Sequence, residues 1–295
     1  MLPNFLIVGA AKSGTTSLYY YLQQHPEISF PKLKEPKYFS SLNLNFPHKG
    51  TGDSSVDKFA IKNLEAYKEQ FINLNTPKIG EASPDYLYYY KSTPIEIKNE
   101  LGDVPIIIIL RNPIKRAFSA YSYLVRDSRE KLSFREALNH EDVRKNNNFD
   151  FVWSYKSGGL YYEQVKAYMD CFSNVKVIVL EEFLKDKEAV IKSIFDYLKV
   201  NVNFKIDMNT THNVSGMPTN FFAKFLLSRN NSISQVIREI LKKYVNRGLL
   251  EKVSSKFLAK EYISEDDASY LNSFYKKDIE NLETLLNKDL SVWKS

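Results

Sequence analysis

The opening segment NFLIVGAAKSGTTSLYYYLQQHP confines the fold more than any other part of the chain. Residues 4–9 form a short apolar run without polar alternation, the pattern of a strand buried on both faces. Ser17 to Gln24 has helical spacing, so AAKSGTT is the turn that leaves the strand and opens a helix. Such a turn points backbone N–H groups and the positive end of a helix dipole at the space above the strand, which suits an anion. Gly9 permits a tight exit from the strand, and Gly14 lets the backbone approach a phosphate closely. Thr15, Thr16 and Ser17 add hydroxyl donors.

Gly9, Gly14 and Thr16 stand at the spacing of the nucleotide loop G-x-x-x-x-G-K-[ST]. Thr15 occupies the lysine position, however, and the lysine comes earlier, at Lys12. That displacement disfavours a kinase or NTPase, whose lysine and magnesium arrangement is not reproduced. On this loop alone, a plain glycine-containing turn with incidental hydroxyls stays open.

Further along, Pro31, Pro36 and Pro47 break residues 27–55 into a long loop. Residues 56–74 have helical spacing with Phe59, Leu64, Tyr67 and Phe71 on or near one face. Lys78 to Ala82 reads as a short strand and TPIEIKNEL as a short helix. PIIIIL at 105–110 is the clearest buried strand, and the helix after it has Pro113 in its first turn, where a missing N–H does no harm. Residues 128–155 read as an insertion on the acceptor side. They precede a helix over 160–172, a strand over 175–180 and a helix over 187–199. Alternation of strand and helix predicts an α/β fold, a P-loop-like parallel sheet flanked by helices, with a helical region after residue 219. No domain boundary stands out, so residues 1–295 read as one domain.

Arg111 ends the strongest strand, and Ser119 follows eight residues later on the next helix. Ligands of open parallel sheets bind at the C-terminal ends of strands, where a guanidinium fork can grip a phosphate. Alone, Arg111 reads equally well as an arginine at the sheet edge. The net charge of +6, from 41 basic and 35 acidic residues, suits anionic ligands and equally an ordinary basic surface. The basic residues are dispersed and form no Lys/Arg-rich arm, so nucleic acid is not an expected partner. Cys171 is the only cysteine, which fits a reducing compartment. With no cleavable leader and no run of transmembrane length, the expectation is a cytoplasmic protein.

FLIVGAAKSGTTSLYYYLQQHPEI resembles the 5′-phosphosulfate loop of the PAPS-dependent sulfotransferases, in particular the carbohydrate and heparan-sulfate types and their bacterial relatives. PAPS is 3′-phosphoadenosine-5′-phosphosulfate. The resemblance implies that Lys12 contacts the phosphosulfate and stabilises the leaving group, with Ser13, Gly14, Thr15, Thr16 and Ser17 wrapping the phosphate. ILRNPIKRAFSAY resembles the family's 3′-phosphate motif and assigns Arg111 and Ser119 to that group. GGLYYEQVKAYMDCF with VKVIVLEEFLKD, and LLNKDLSVW near the end, are similar to later family segments. HNVSGMPTN resembles the late nucleotide loop, implying contacts from Asn213, Ser215 and Gly216; Thr219 stands near Pro218 where bacterial members often carry a basic residue. Residues 41–77 and 128–155 fall outside the resemblance.

Sulfuryl transfer needs a base for the acceptor proton and a cation for the departing phosphate. No metal is called for, and no cluster at metal-ligand spacing is visible in the sequence. Glu35, in FPKLKEPKYFS, stands where glycan sulfotransferases carry a glutamate before an aromatic pair, here Tyr38 and Phe39, and the resemblance makes it the base. A glutamate between lysines is otherwise a solvated surface charge. Glu81 and Asp85, in GEASPDYLYY, compete for the role. That stretch departs from the glycan enzymes, which often have lysine where Ala82 stands. His25, in LQQHP, reads as a packing or capping residue, and His48 is an outlying candidate. The implied function is transfer of the PAPS sulfuryl group to a hydroxyl or amine, with a glycan or glycolipid favoured as acceptor through the Glu35 pattern. A small-molecule P-loop kinase and a non-catalytic nucleotide-binding module are the alternatives.

Overall fold

The computed structural model describes residues 1–208 and 262–294, together with the backbone of 217–218 and 258–259. Strand β1 (Phe5–Gly9) leads into α1 (Thr15–Leu22), β2 (Ile28–Ser29) and three short helices, α2 (Tyr38–Ser41), α3 (Asp53–Asp57) and α4 (Leu64–Glu69). Strand β3 (Lys78–Ala82), α5 (Thr93–Leu101), β4 (Ile106–Leu110) and α6 (Pro113–Arg126) follow. After α7 (Phe134–Asn139) and α8 (Glu141–Asn146) come short 3₁₀ turns at Phe151–Trp153 and Ser157–Gly159. Helix α9 (Tyr161–Cys171), β5 (Val175–Val179), α10 (Leu180–Lys185) and α11 (Lys187–Leu198) complete the sheet region. Strands β6 (Met217–Pro218) and β7 (Leu258–Ala259) pair antiparallel, and α12 (Glu265–Leu286) precedes a 3₁₀ turn at Ser291–Trp293.

Five strands form a parallel sheet in the order β2-β3-β1-β4-β5. The apolar strands are covered on both faces, as their lack of alternation requires. Leu6, Val8, Ile106, Ile108 and Leu110 pack into one core, which also takes in residues of α5, α6, α9 and α12. Phe5, Ile7, Ile107 and Ile109 pack into the other, with residues of α1 and α11. From β1 the chain runs to the β3 side of the sheet, and from β4 to the β5 side. The connections that leave adjacent strands β1 and β4 therefore run to opposite sides, opening at the strands' C-terminal ends the crevice in which α/β sheets bind ligands. Both anion motifs of the sequence leave the sheet at this crevice.

Of the predicted helix over 56–74, only the end of α3 and the six residues of α4 are helical, with a non-helical link between them. Ile61 N–H donates to the Pro36 carbonyl at 2.8 Å, and the Ile61 carbonyl accepts from the Ser41 hydroxyl at 2.6 Å, so its backbone is bonded sideways. Asn63 then starts α4 by capping Ala66 N–H at 2.8 Å. Tyr67 and Phe71 reach the core as expected, whereas Phe59 is 64% exposed, on the far side of the break. The loop over 27–55 contains β2, α2 and α3, and the insertion over 128–155 contains α7 and α8. In α12, Leu271, Tyr275, Ile279 and Leu282 form one buried stripe. Asp278 on the same helix accepts Tyr161 N–H at 2.7 Å and Tyr162 N–H at 3.2 Å, capping α9.

Candidate active site

The loop between β1 and α1 has the shape its residues imply. Gly14 takes φ 95° at the N-cap of α1, and no side chain caps that helix. The positive φ is what calls for glycine, since a Cβ there would press only on the end of the Leu180 side chain, at 2.9 Å from its Cδ1. Lys12 also has positive φ, at 69°. Its ammonium stands 4.4 Å from the centre of the Tyr123 ring and pairs with no carboxylate among the described residues. Burial, and then the nearby charges of Arg126 and Arg111, lower its pKa to about 7, against weaker upward pulls from Asp127 and Glu35. A lysine so placed gains more from an arriving anion than a solvated one does.

Arg111 joins the two motifs, donating from its guanidinium to the Lys12 carbonyl at 3.1 Å. Burial lowers its pKa below the usual arginine value. The backbone around it is braced from three directions. The Arg111 carbonyl accepts from the Tyr161 hydroxyl at 3.0 Å. Asn112 N–H donates to Glu181 at 3.0 Å, and the Asn112 amide caps α6 through Ile114 and Lys115 N–H, each at 3.0 Å. The same amide donates to the Trp293 carbonyl at 3.2 Å, while the Trp293 indole donates to Glu181 at 3.0 Å. Ser119 lies on α6, partly buried.

Glu35 reaches the same place from the loop before α2. Lys34 donates both to the Glu35 carboxylate and, at 3.2 Å, to the Thr16 hydroxyl, tying the acid to the phosphate loop. The field of Glu35 is felt at Lys12, Lys37 and Asp85. An opening of about 330 Å³, counting its mouth, borders Lys12 and is walled by Tyr88, Arg116, Phe151 and Gly158. The Arg116 guanidinium fastens that wall by donating to the Ser154 carbonyl at 3.2 Å and also to the Tyr155 carbonyl. Glu141 accepts from Lys156 N–H at 2.5 Å and Ser157 N–H at 2.8 Å, and Tyr275 donates to the Lys156 carbonyl at 2.9 Å. A Cβ at Gly158 would come within 2.9 Å of the Arg116 guanidinium.

The competing acids lie deeper. Glu81 is fully buried on β3, accepting from Tyr67 at 2.8 Å and Tyr86 at 3.2 Å, and burial pushes its pKa up to about 7. Asp85 is 1% exposed, accepts from the Ser40 hydroxyl at 2.5 Å, and is pushed up to about 6 by burial. His25 packs as expected, its ring 4.6 Å from that of Phe195 and bonded to the Asn201 carbonyl at 3.0 Å. His48 is paired with Asp57 at 2.7 Å. Asn213, Ser215 and Gly216 lie outside the described residues.

A family model described as a sulfotransferase domain matches residues 2–283. The chain belongs to the sulfotransferase family. A solved sulfotransferase from Alicyclobacillus acidocaldarius is 34% identical, with a TM-score of 0.80 and 100% of both chains covered. Among curated proteins, the membrane-associated sulfotransferase kil1 of Dictyostelium discoideum is 35% identical over 125 residues, 42% of this chain and 23% of that protein. Human carbohydrate sulfotransferase 15 is 28% identical over 168 residues, 46% of this chain and 30% of that protein. The matched stretches thus span under a third of these relatives' own length. Among the described residues, no helix is long and apolar enough to cross a membrane.

Of the residues predicted from sequence, Lys12, Gly14, Thr16, Arg111 and Glu35 come together at the crevice. Glu81 does not join them at a surface, being sealed beneath two tyrosines. Lys37, Arg116, Tyr123, Arg126, Asp150, Glu181 and Trp293 escaped the sequence reading. Lys37 had a signal, two residues after Glu35 in the same loop. Asp150 and Glu181 had none, since only tertiary packing brings them near.

Proposed function

We propose that this protein transfers the sulfuryl group of PAPS to a hydroxyl or amine of a carbohydrate-containing acceptor. The observation that carries the reading is the joining of Lys12 and Arg111 at the β1/β4 crevice, with Glu35 tethered beside them through Lys34 and Thr16. The residues suit a donor with two phosphate groups. The α1 N-terminus lacks a side-chain cap, Gly14 holds the left-handed turn, and Lys12 has no carboxylate partner among the described residues. PAP-bound sulfotransferases are known structurally, for example mouse SULT7A1, which shares this fold at 16% identity and a TM-score of 0.50. The name of carbohydrate sulfotransferase 15 supports the acceptor class.

In this reading PAPS brings the sulfuryl group and departs as PAP, adenosine 3′,5′-bisphosphate. Arg111 and Ser119 hold the 3′-phosphate; Ser13, Gly14, Thr15, Thr16 and Ser17 wrap the 5′-phosphate; Asn213, Ser215 and Gly216 add contacts on the late loop. Glu35 accepts the acceptor's proton as its oxygen or nitrogen bonds to sulfur. The sulfur–oxygen bond to phosphate breaks on the opposite side, and Lys12 neutralises the charge that collects on the leaving oxygen. The Lys34 contact keeps Glu35 beside the phosphate loop. Glu81 and Asp85, both buried, remain the competing bases. The chain acts as one domain in this scheme. A cytoplasmic location rests on the lone Cys171, and cell fractionation decides it, because one relative is named membrane-associated.

The test is incubation with labelled PAPS and a panel of glycans, glycolipids, phenols and peptides, reading which compound gains label. Glu35→Gln should lower turnover by roughly 10²–10⁴-fold while PAP affinity survives. Lys12→Ala should impair both, since its contact exists in the ground state and strengthens in the transition state. Near-normal turnover of Glu35→Gln beside a dead Asp85→Asn would transfer the base role to Asp85. Greater heat stabilisation by ATP–magnesium than by PAP would replace sulfuryl transfer with phosphoryl transfer.

A further inference from the structure

Next to the reaction cleft lies a second, narrower opening, about 250 Å³ counting its mouth, lined by Lys37, Ser40, His48, Asp57, Asp85 and Asp150. Two of these residues are already satisfied, for His48 and Asp57 bond to each other. Lys37 and Asp85 are not. Asp85 gives one carboxylate oxygen to the Ser40 hydroxyl, and its other oxygen, fully buried, has no hydrogen-bond partner. A buried carboxylate oxygen without a donor is costly, and native proteins rarely keep one that nothing satisfies.

Lys37 offers the complementary want. Its ammonium makes no hydrogen bond or close ion pair among the described residues, and stands 5.5 Å from the centre of the Phe151 ring. Burial alone would lower its pKa, but Asp150, Asp85 and Glu35 outweigh that and hold it above the ordinary lysine range. It is therefore charged, and faces carboxylates it does not touch. The backbone keeps it so: Lys37 has φ 55°, and its N–H donates to the Ser83 hydroxyl at 3.1 Å. Phe151 also walls the reaction cleft, so one ring borders both that cleft and the Lys37 ammonium.

The gap thus presents one donor and one acceptor that do not pair with each other. A hydroxyl satisfies both, accepting from the ammonium and donating to the carboxylate. A carboxylate or sulfate brought there would meet Asp85, Asp150 and Glu35, whose charges act on Lys37; an ammonium would meet Lys37. Like charges in a partly desolvated site cost far more than in water. We propose that Lys37 and Asp85 form an acceptor subsite for the hydroxyls flanking the reacting group, and that it selects an uncharged glycoside over uronate-bearing or amino-bearing ones. This rests on the sulfuryl-transfer reading and specifies its substrate class.

The experiment uses the full chain saturated with PAP, and titrates methyl hexosides of the gluco, galacto and manno series with their uronate and 2-amino counterparts. At least one uncharged hexoside should bind ten times or more tighter than both charged counterparts. Lys37→Met and Asp85→Asn should each weaken that hexoside roughly 10–100-fold, the loss of a charge-assisted hydrogen bond. PAP affinity should stay within a few-fold in both variants. Asp85→Asn should also narrow the discrimination against the uronate, an effect that mere loosening of the fold would not produce. Equal binding of a uronate or amino sugar by the wild type would overturn the inference, as would variants that lower thermal stability without changing selectivity. Binding of PAP with no binding of any uncharged hexoside would overturn it too, leaving the donor reading intact. Failure of the wild type to bind PAP would instead defeat the sulfuryl-transfer reading itself.

Discussion

Donor binding should be coupled to proton uptake through Lys12. In the free protein its pKa is lowered to about 7, first by burial and then by Arg126 and Arg111. A phosphate placed against the ammonium restores the charged form, so the bound lysine returns toward its ordinary value, about 10.4. Because the complex holds the proton more tightly than the free protein, affinity is greatest below pH 7 and is lost as pH rises. By linkage, binding should take up about 0.1 proton at pH 6, about 0.5 at pH 7 and about 0.9 at pH 8. Above pH 8 the PAP dissociation constant should rise by about tenfold per unit until the bound lysine itself titrates. Calorimetry in two buffers of different ionisation enthalpy measures the uptake directly. Lys12→Met isolates it from the ligand's own phosphate groups, which titrate at about pH 6. Equal proton uptake by wild type and Lys12→Met at pH 8 would refute the reasoning, because it would mean that Lys12 is already charged in the free protein or does not meet the phosphate.

Arg111→Ala should weaken PAP by roughly 1.5–3 kcal/mol while leaving a nucleotide without the 3′-phosphate nearly unaffected, as read by parallel titrations. Equal losses for both ligands would make Arg111 a brace for the Lys12 carbonyl rather than a phosphate ligand. Glu81, raised from about 4.5 to about 7 by burial, favours the folded state in its neutral form. Its contribution is present below pH 4.5 and is lost as pH rises through 7. Glu81→Gln should therefore gain urea stability over wild type at pH 8 relative to pH 5, and a pH-independent difference would contradict the raised pKa.

The anion-binding end of the sheet was legible because its signals are local. FLIVG and IIIIL have one economical solution, strands covered on both faces, and a glycine-bearing turn between strand and helix can only sit at a strand's C-terminal end. Arg111 was legible for the same reason, following directly on β4. The helix expected over 56–74 failed because helical spacing of apolar residues says nothing about backbone partners from elsewhere. Pro36 and Ser41 bind the Ile61 backbone, and Asn63 restarts the helix. Glu35, Glu81 and Asp85 looked alike as carboxylates between other features, and burial and neighbours separated them.

Sequence by itself determined the parallel sheet, the phosphate loop with its displaced lysine and the arginine after the strongest strand. Each depends on contacts between residues near in the chain, which spacing and residue type record. Only the tertiary structure decided that Lys12 lies among arginines with its charge weakened, and that Trp293 and Glu181 brace the backbone beside Arg111. It alone left Lys37 and Asp85 facing each other's neighbourhood without pairing. A side chain's charge state and unmet hydrogen bonds are set by what distant segments bring within a few ångströms, and no local pattern carries that information.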